Sequence, residues 1–167
     1  EYPYQEQETI NLDLTLSQFG FPLDGIVVKS SPIVADLDSD GVKEIYFGSD
    51  NEALHGYNSF GEEIDGFPFQ STDRVRSSPA VGDVDNDGQM EIVFGNSSGK
   101  LYIVNHDGSR ELAYTLLGFV ESTPALVDID GDQDLEIFFT TTTTSGGHLY
   151  GIPVSYTHLT LPTNTVV

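Results

Sequence analysis

The chain has 167 residues, of which 38% are hydrophobic, enough to build a packed core and too many for wholesale disorder. Its 27 acidic residues against 6 basic ones give a formal net charge of −21, which excludes phosphate-backbone recognition, since that needs clustered Lys and Arg. No stretch approaches the roughly 18 consecutive apolar residues of a membrane helix.

Eight Tyr and ten Phe, with many Val, Ile and Thr, are punctuated by 17 Gly and eight Pro. That mixture predicts many short strands joined by tight turns, and no segment sustains a helical period. The expected fold is all-β. Residues 1–29 form a lead-in or the end of a preceding unit; within it Thr9 to Leu16 alternates apolar and polar residues like a strand. The first residue is Glu1, with no Met and no signal peptide, and the start is expected to be a cut in a longer chain.

From residue 30 the chain repeats itself. Ser30-Ser31-Pro32 recurs as Ser77-Ser78-Pro79 and as Ser122-Thr123-Pro124, each leading through an apolar run to Asp36, Asp83 or Asp128. These Asp residues are 47 and then 45 positions apart, the length of one four-stranded propeller blade. The expected units are 30–76, 77–121 and a truncated 122–153. In each, a short strand enters an Asp-rich loop and a second strand leaves it: Glu44-Ile45-Tyr46-Phe47-Gly48, Glu91-Ile92-Val93-Phe94-Gly95 or Glu136-Ile137-Phe138-Phe139. Third strands centre on Leu54–Tyr57, Leu101–Val104 and Leu149–Ile152, and turns at Asn58–Gly61 and Asn105–Gly108 lead into fourth strands. The run Thr140 to Thr144, beside Ser145-Gly146-Gly147, is expected to be a mobile hairpin loop. Residues 154–167 do not continue the repeat and resemble translated adapter read-through, so they are set aside.

The three loops carry the chemistry. They read Asp36-Leu37-Asp38-Ser39-Asp40-Gly41-Val42-Lys43-Glu44, Asp83-Val84-Asp85-Asn86-Asp87-Gly88-Gln89-Met90-Glu91 and Asp128-Ile129-Asp130-Gly131-Asp132-Gln133-Asp134-Leu135-Glu136. Carboxylates stand at positions one, three, five and nine. Calcium takes six to eight oxygens at about 2.3–2.6 Å, and alternate Asp residues on a tight loop can aim several carboxylates at one centre. Gly at position six permits a left-handed turn that brings the carbonyl of position seven, Val42 or Gln89, toward the ion. Glu44, Glu91 or Glu136 closes the shell. The expected ligands are therefore Asp36, Asp38, Asp40, Val42 and Glu44; Asp83, Asp85, Asp87, Gln89 and Glu91; and Asp128, Asp130, Asp132, Asp134 and Glu136. One calcium per repeat, about three in all, is expected. The third site is the weaker, because Gln133 replaces the Gly and its left-handed turn costs on the order of 1 kcal/mol. Asp-rich turns can also merely cap strands through their own hydrogen bonds, but three copies in register with the same strands favour a cation. Magnesium prefers small octahedral shells, and zinc lacks Cys or well-placed His.

The run Ser77 to Gly88 followed by Glu91 to Gly95 resembles an FG-GAP or VCBS-type repeat, the calcium-loop blade of integrin α-subunit propellers. The resemblance covers residues 30 to about 153. It implies a β-propeller of about seven blades, of which three are present here with the remaining blades as partners. It further implies a structural calcium and a secreted or cell-surface protein that offers a scaffold for protein or glycan recognition. A second reading is the non-catalytic propeller of a secreted lyase, hydrolase or peptidase whose active site lies elsewhere.

Nothing in the sequence marks a catalytic centre: there is no nucleophile elbow, phosphate loop or zinc signature. His55, His106, His148 and His158 do not recur at matched positions and are assigned to surface or packing. The recurring aromatics Tyr46, Phe47, Phe94, Phe138 and Phe139 are assigned to the core between blades.

Overall fold

A computed structural model describes residues 17–154; the strand expected over Thr9 to Leu16 and the tail beyond Val154 lie outside them. The described residues form three antiparallel sheets. The first is a meander of β1 (Ile33–Ala35), β2 (Glu44–Gly48), β3 (Ala53–Tyr57) and β4 (Phe69–Gln70). The second repeats it with β5 (Ala80–Gly82), β6 (Glu91–Gly95), β7 (Lys100–Val104) and β8 (Arg110–Thr115). The third has β9 (Ala125–Val127), β10 (Glu136–Thr143) and β11 (Gly146–Pro153). The protein is all-β, built of propeller-like blades, as the strand pattern predicts.

Two-residue periodicity explains how the sheets stack. Successive side chains of a strand point to opposite faces, so a sheet covered on both sides reads as continuously apolar. The middle sheet does. Ile92, Phe94, Tyr102 and Val104 pack with Leu37, Tyr46, Leu54 and Phe67 of the first sheet. The intervening residues Val93, Leu101 and Ile103 pack with Ile137, Phe139 and Val154 of the third. Of the aromatics assigned to this core, Tyr46, Phe94 and Phe139 take part, whereas Phe47 stacks on His55 and Tyr57 within its own sheet. Phe138, on the opposite face of β10 from Phe139, is half-buried.

Close backbone approach fixes where one blade hands over to the next. A Cβ on Gly48 would lie 2.4 Å from Val75 Cγ1, and one on Gly95 would lie 2.2 Å from Val120 Cγ1. Only Gly lets the incoming chain pass there. Backbone bonds from Val75 N–H to Ser49 O (2.9 Å) and from Val120 N–H to Asn96 O (3.0 Å) secure it. Arg76 adds a bidentate grip on Asp50, with Nε–Oδ1 2.7 Å and Nη2–Oδ2 3.1 Å.

The threonine run corrects the expectation of a mobile loop. Thr140 to Thr143 continue β10 and pair with Leu149 to Gly146 of β11, leaving Thr144 and Ser145 as the turn. Threonine's branched Cβ suits the pleat, and Thr141 is buried between exposed Thr140 and Thr142. Thr142 also exchanges both backbone bonds with Phe119.

Phe94→Ala should cost about 3–5 kcal/mol in urea unfolding, because it opens a cavity beneath both neighbouring rings, Phe69 and Tyr102. Phe60→Ala, at a side chain 59% exposed, should stay within about 0.5 kcal/mol of the parent.

Candidate metal centres

Each Asp-rich loop joins the first two strands of its sheet: β1 to β2, β5 to β6 and β9 to β10. Those hairpins are short, with three residue pairs each, so loop geometry governs whether the strands meet. We call residues 36–44, 83–91 and 128–136 loops one, two and three.

The loops share one internal wiring. The position-three carboxylate accepts the N–H of position five: Asp38 from Asp40 (3.2 Å), Asp85 from Asp87 (3.1 Å) and Asp130 from Asp132 (3.2 Å). The position-five carboxylate accepts the N–H of position seven: Asp40 from Val42 (2.7 Å), Asp87 from Gln89 (2.8 Å) and Asp132 from Asp134 (2.9 Å). The position-one Oδ2 accepts from position six: Asp36 from Gly41 and Asp83 from Gly88, both 3.0 Å, and Asp128 from Gln133 at 3.1 Å. Position six is left-handed in all three, with φ 88° at Gly41, 89° at Gly88 and 80° at Gln133.

The structure also shows a demand that the spacing of acids does not reveal. Position four is left-handed in loops one and two, at Ser39 (φ 59°) and Asn86 (φ 60°), and is Gly131 (φ 84°) in loop three. Loop three thus has Gly at four and Gln at six, where loops one and two have Gly at six. Residue type gave a signal at Asn86 and Gly131, since Asn and Gly visit this region most readily, and none at Ser39.

In each loop three carboxylates converge, with ligand oxygens all within 4.8 Å of one another: Asp36, Asp38 and Asp40; Asp83, Asp85 and Glu91; Asp128, Asp130 and Glu136. Of the remaining expected ligands, Glu44, Asp87, Asp132 and Asp134 stand outside these triplets. Glu91 and Glu136 are buried and accept the position-two N–H, from Val84 at 2.9 Å and Ile129 at 3.0 Å. Buried Glu44 lies beside the Tyr46 hydroxyl, whose pKa is raised by burial and by that carboxylate. Val42 and Gln89 donate backbone N–H groups to the loop, and the Gln89 amide also donates to Asp87 Oδ2 at 3.1 Å.

The donor set suits a hard cation. It is all oxygen, and Asp36 Oδ1 and Asp83 Oδ1 are buried without any hydrogen-bond donor. A buried carboxylate oxygen with no donor is costly unless a cation faces it. Loop three differs here, because Gly131 N–H donates to Asp128 Oδ1 at 2.6 Å. Burial pushes the Glu91 carboxyl up to about 7, against the Val84 N–H that lowers it, and Asp85, Glu111 and Asp87 raise it further. Glu44 is raised by burial and then by Asp38, Asp40 and Asp36. Cavities of about 270 Å³ adjoin loops one and two, and His106 lines both. His55 is buried, with Nδ1 2.7 Å from Glu63 Oε1, and belongs to the aromatic stack of the first sheet.

Stacked antiparallel meanders of three or four strands, each with a carboxylate-lined loop between its first two strands, define a propeller-type repeat protein. The family model for the FG-GAP-like repeat matches residues 36–94 and 83–139, together more than half of the chain. The chain belongs to that family. No curated protein matches it.

Two outcomes follow. Gln133→Gly should stabilise the chain by about 1 kcal/mol by relieving the left-handed side chain, and Gly88→Ala should destabilise it by a similar amount, both read by urea unfolding. In chelator, melting temperature should fall as pH rises from about 4.5 to about 7. Glu91 holds its proton more tightly folded than its ordinary value of 4.5 allows unfolded, so the stability its protonated form contributes is lost across that window.

Proposed function

We propose that this chain is a calcium-stabilised propeller segment in which each Asp-rich loop holds one Ca²⁺ as a structural clamp. The observation that carries this reading is the convergence of three carboxylates within 4.8 Å in every loop, with donor-less buried oxygens on Asp36 and Asp83. Asp36, Asp38 and Asp40 would hold the ion in loop one, with Glu44 behind them. Asp83, Asp85 and Glu91 would hold it in loop two, and Asp128, Asp130 and Glu136 in loop three. Bound calcium supplies charge neutralisation and a fixed coordination centre, not a reactive one. The loop carboxylates hold the hairpin closed around it, and Glu91 and Glu136 tie the next strand to the loop through the position-two N–H.

The role is non-catalytic scaffolding. Sites of this kind in extracellular modules bind at about 10⁻⁴–10⁻³ M, which suits a secreted or cell-surface protein in millimolar calcium. The scaffold would present its loops to a protein or glycan ligand; the formal charge of −21 speaks against nucleic acid.

Calcium added to chelator-treated protein should raise the melting temperature, since an ion that binds only the folded loop stabilises by mass action. Asp83→Ala combined with Asp85→Ala should shrink that shift. An unmutated chain whose melting is indifferent to millimolar calcium would falsify the proposal.

A further inference from the structure

Loop three departs from its siblings twice, with Gln133 at position six and an acid, Asp134, at position seven. Both positions meet one residue of the neighbouring blade, Asp134 through its side chain and Gln133 through its backbone carbonyl. Asn86, position four of loop two, donates from Nδ2 to Asp134 Oδ1 at 2.6 Å and lies 3.4 Å from the Gln133 carbonyl. Asn86 is left-handed at φ 60° and Gln133 at φ 80°, so each end of the link is a backbone position that its loop must hold fixed. Asp134 is correspondingly absent from the carboxylate triplet of its own loop. Among the described residues, no hydrogen bond joins loop one to loop two. There position four is Ser39, and the position-seven side chain, Gln89, turns back onto Asp87.

We propose that Asn86 couples loops two and three, so that calcium in either raises the affinity of the other, while loop one binds independently. This rests on the calcium reading above. The physical basis is shared ordering. A cation in loop two fixes the backbone that aims Asn86. Asn86 in turn holds Gln133 and Asp134, so loop three loses less freedom when its own ion arrives. Linkage makes the effect reciprocal. The link is one short and one long hydrogen bond from an exposed side chain, so the coupling sits at the low end of allosteric effects, about fivefold in affinity.

The test is a calcium titration of the full chain followed by amide NMR, which reads each loop separately. Gly41, Gly88 and Gly131 each donate an amide to the position-one carboxylate of their own loop. Asn86→Gly preserves the left-handed backbone and removes the donor. It should raise the Gly88 and Gly131 midpoints, by about twofold each where the two loops fill together and by up to about fivefold for the loop that fills second, and leave Gly41 in place. Asp134→Ala should move the Gly88 midpoint in the same direction from the other blade. Unchanged Gly88 and Gly131 midpoints in the Asn86 variant, or an equal shift at Gly41, would overturn the coupling while leaving three calcium loops intact. Glycine signals that ignore calcium in the unmutated chain would overturn the metal reading and the coupling with it.

Discussion

Like charges held together at the top of each blade constrain everything below them. Three carboxylate oxygens lie within 4.8 Å of one another in each loop, close enough that their charges repel well inside the screening length of salt. Backbone N–H groups answer part of that charge, and in loops two and three the buried Glu that opens the next strand is tied back by a position-two N–H. The hairpins that the loops close are only three pairs long, so they have little pairing of their own with which to resist splaying. Under the proposed calcium reading, a divalent cation at the centre turns the repulsion into attraction and lets so acidic a chain gather its acids.

From the loops the constraint passes into the sheets. Leu37 and Val84, at position two of loops one and two, are themselves core residues, one in each of the two packed layers. The loop is thus not an ornament on the sheet: its backbone carries a side chain into the contact between blades. The middle sheet, apolar on both faces, then links the two layers, and Arg76 with Asp50 pins the first hand-over from outside. Any change in one loop is felt first at its own hairpin and next at the neighbouring blade, the arrangement expected of repeats that touch only their neighbours.

Much of this was legible in the sequence because the repeat displays it three times. The Ser-Pro lead, the loop and the Glu that opens the second strand are local patterns, and local patterns fix strands, turns and the convergence of alternate Asp residues. What escaped depends on backbone angles or on contacts between repeats. Ser39 looks like filler between acids until its positive φ is seen. Thr140 to Thr143 read as low complexity, yet they form strand because the facing segment supplies a partner. Asp134 counts as one more acid in its own loop, whereas its partner lies 48 positions away. Glu44 occupies the same position as Glu91 and Glu136, but only its loop gathers three Asp residues instead.

The most direct test is a count of ions. Equilibrium dialysis of the full chain against radioactive calcium, at concentrations up to a few millimolar, should saturate near three ions per chain. Replacing Asp83 and Asp85 together with Ala should remove at least the ion of loop two. Failure to find any saturable calcium in that range would contradict the account, whatever the fold of the sheets.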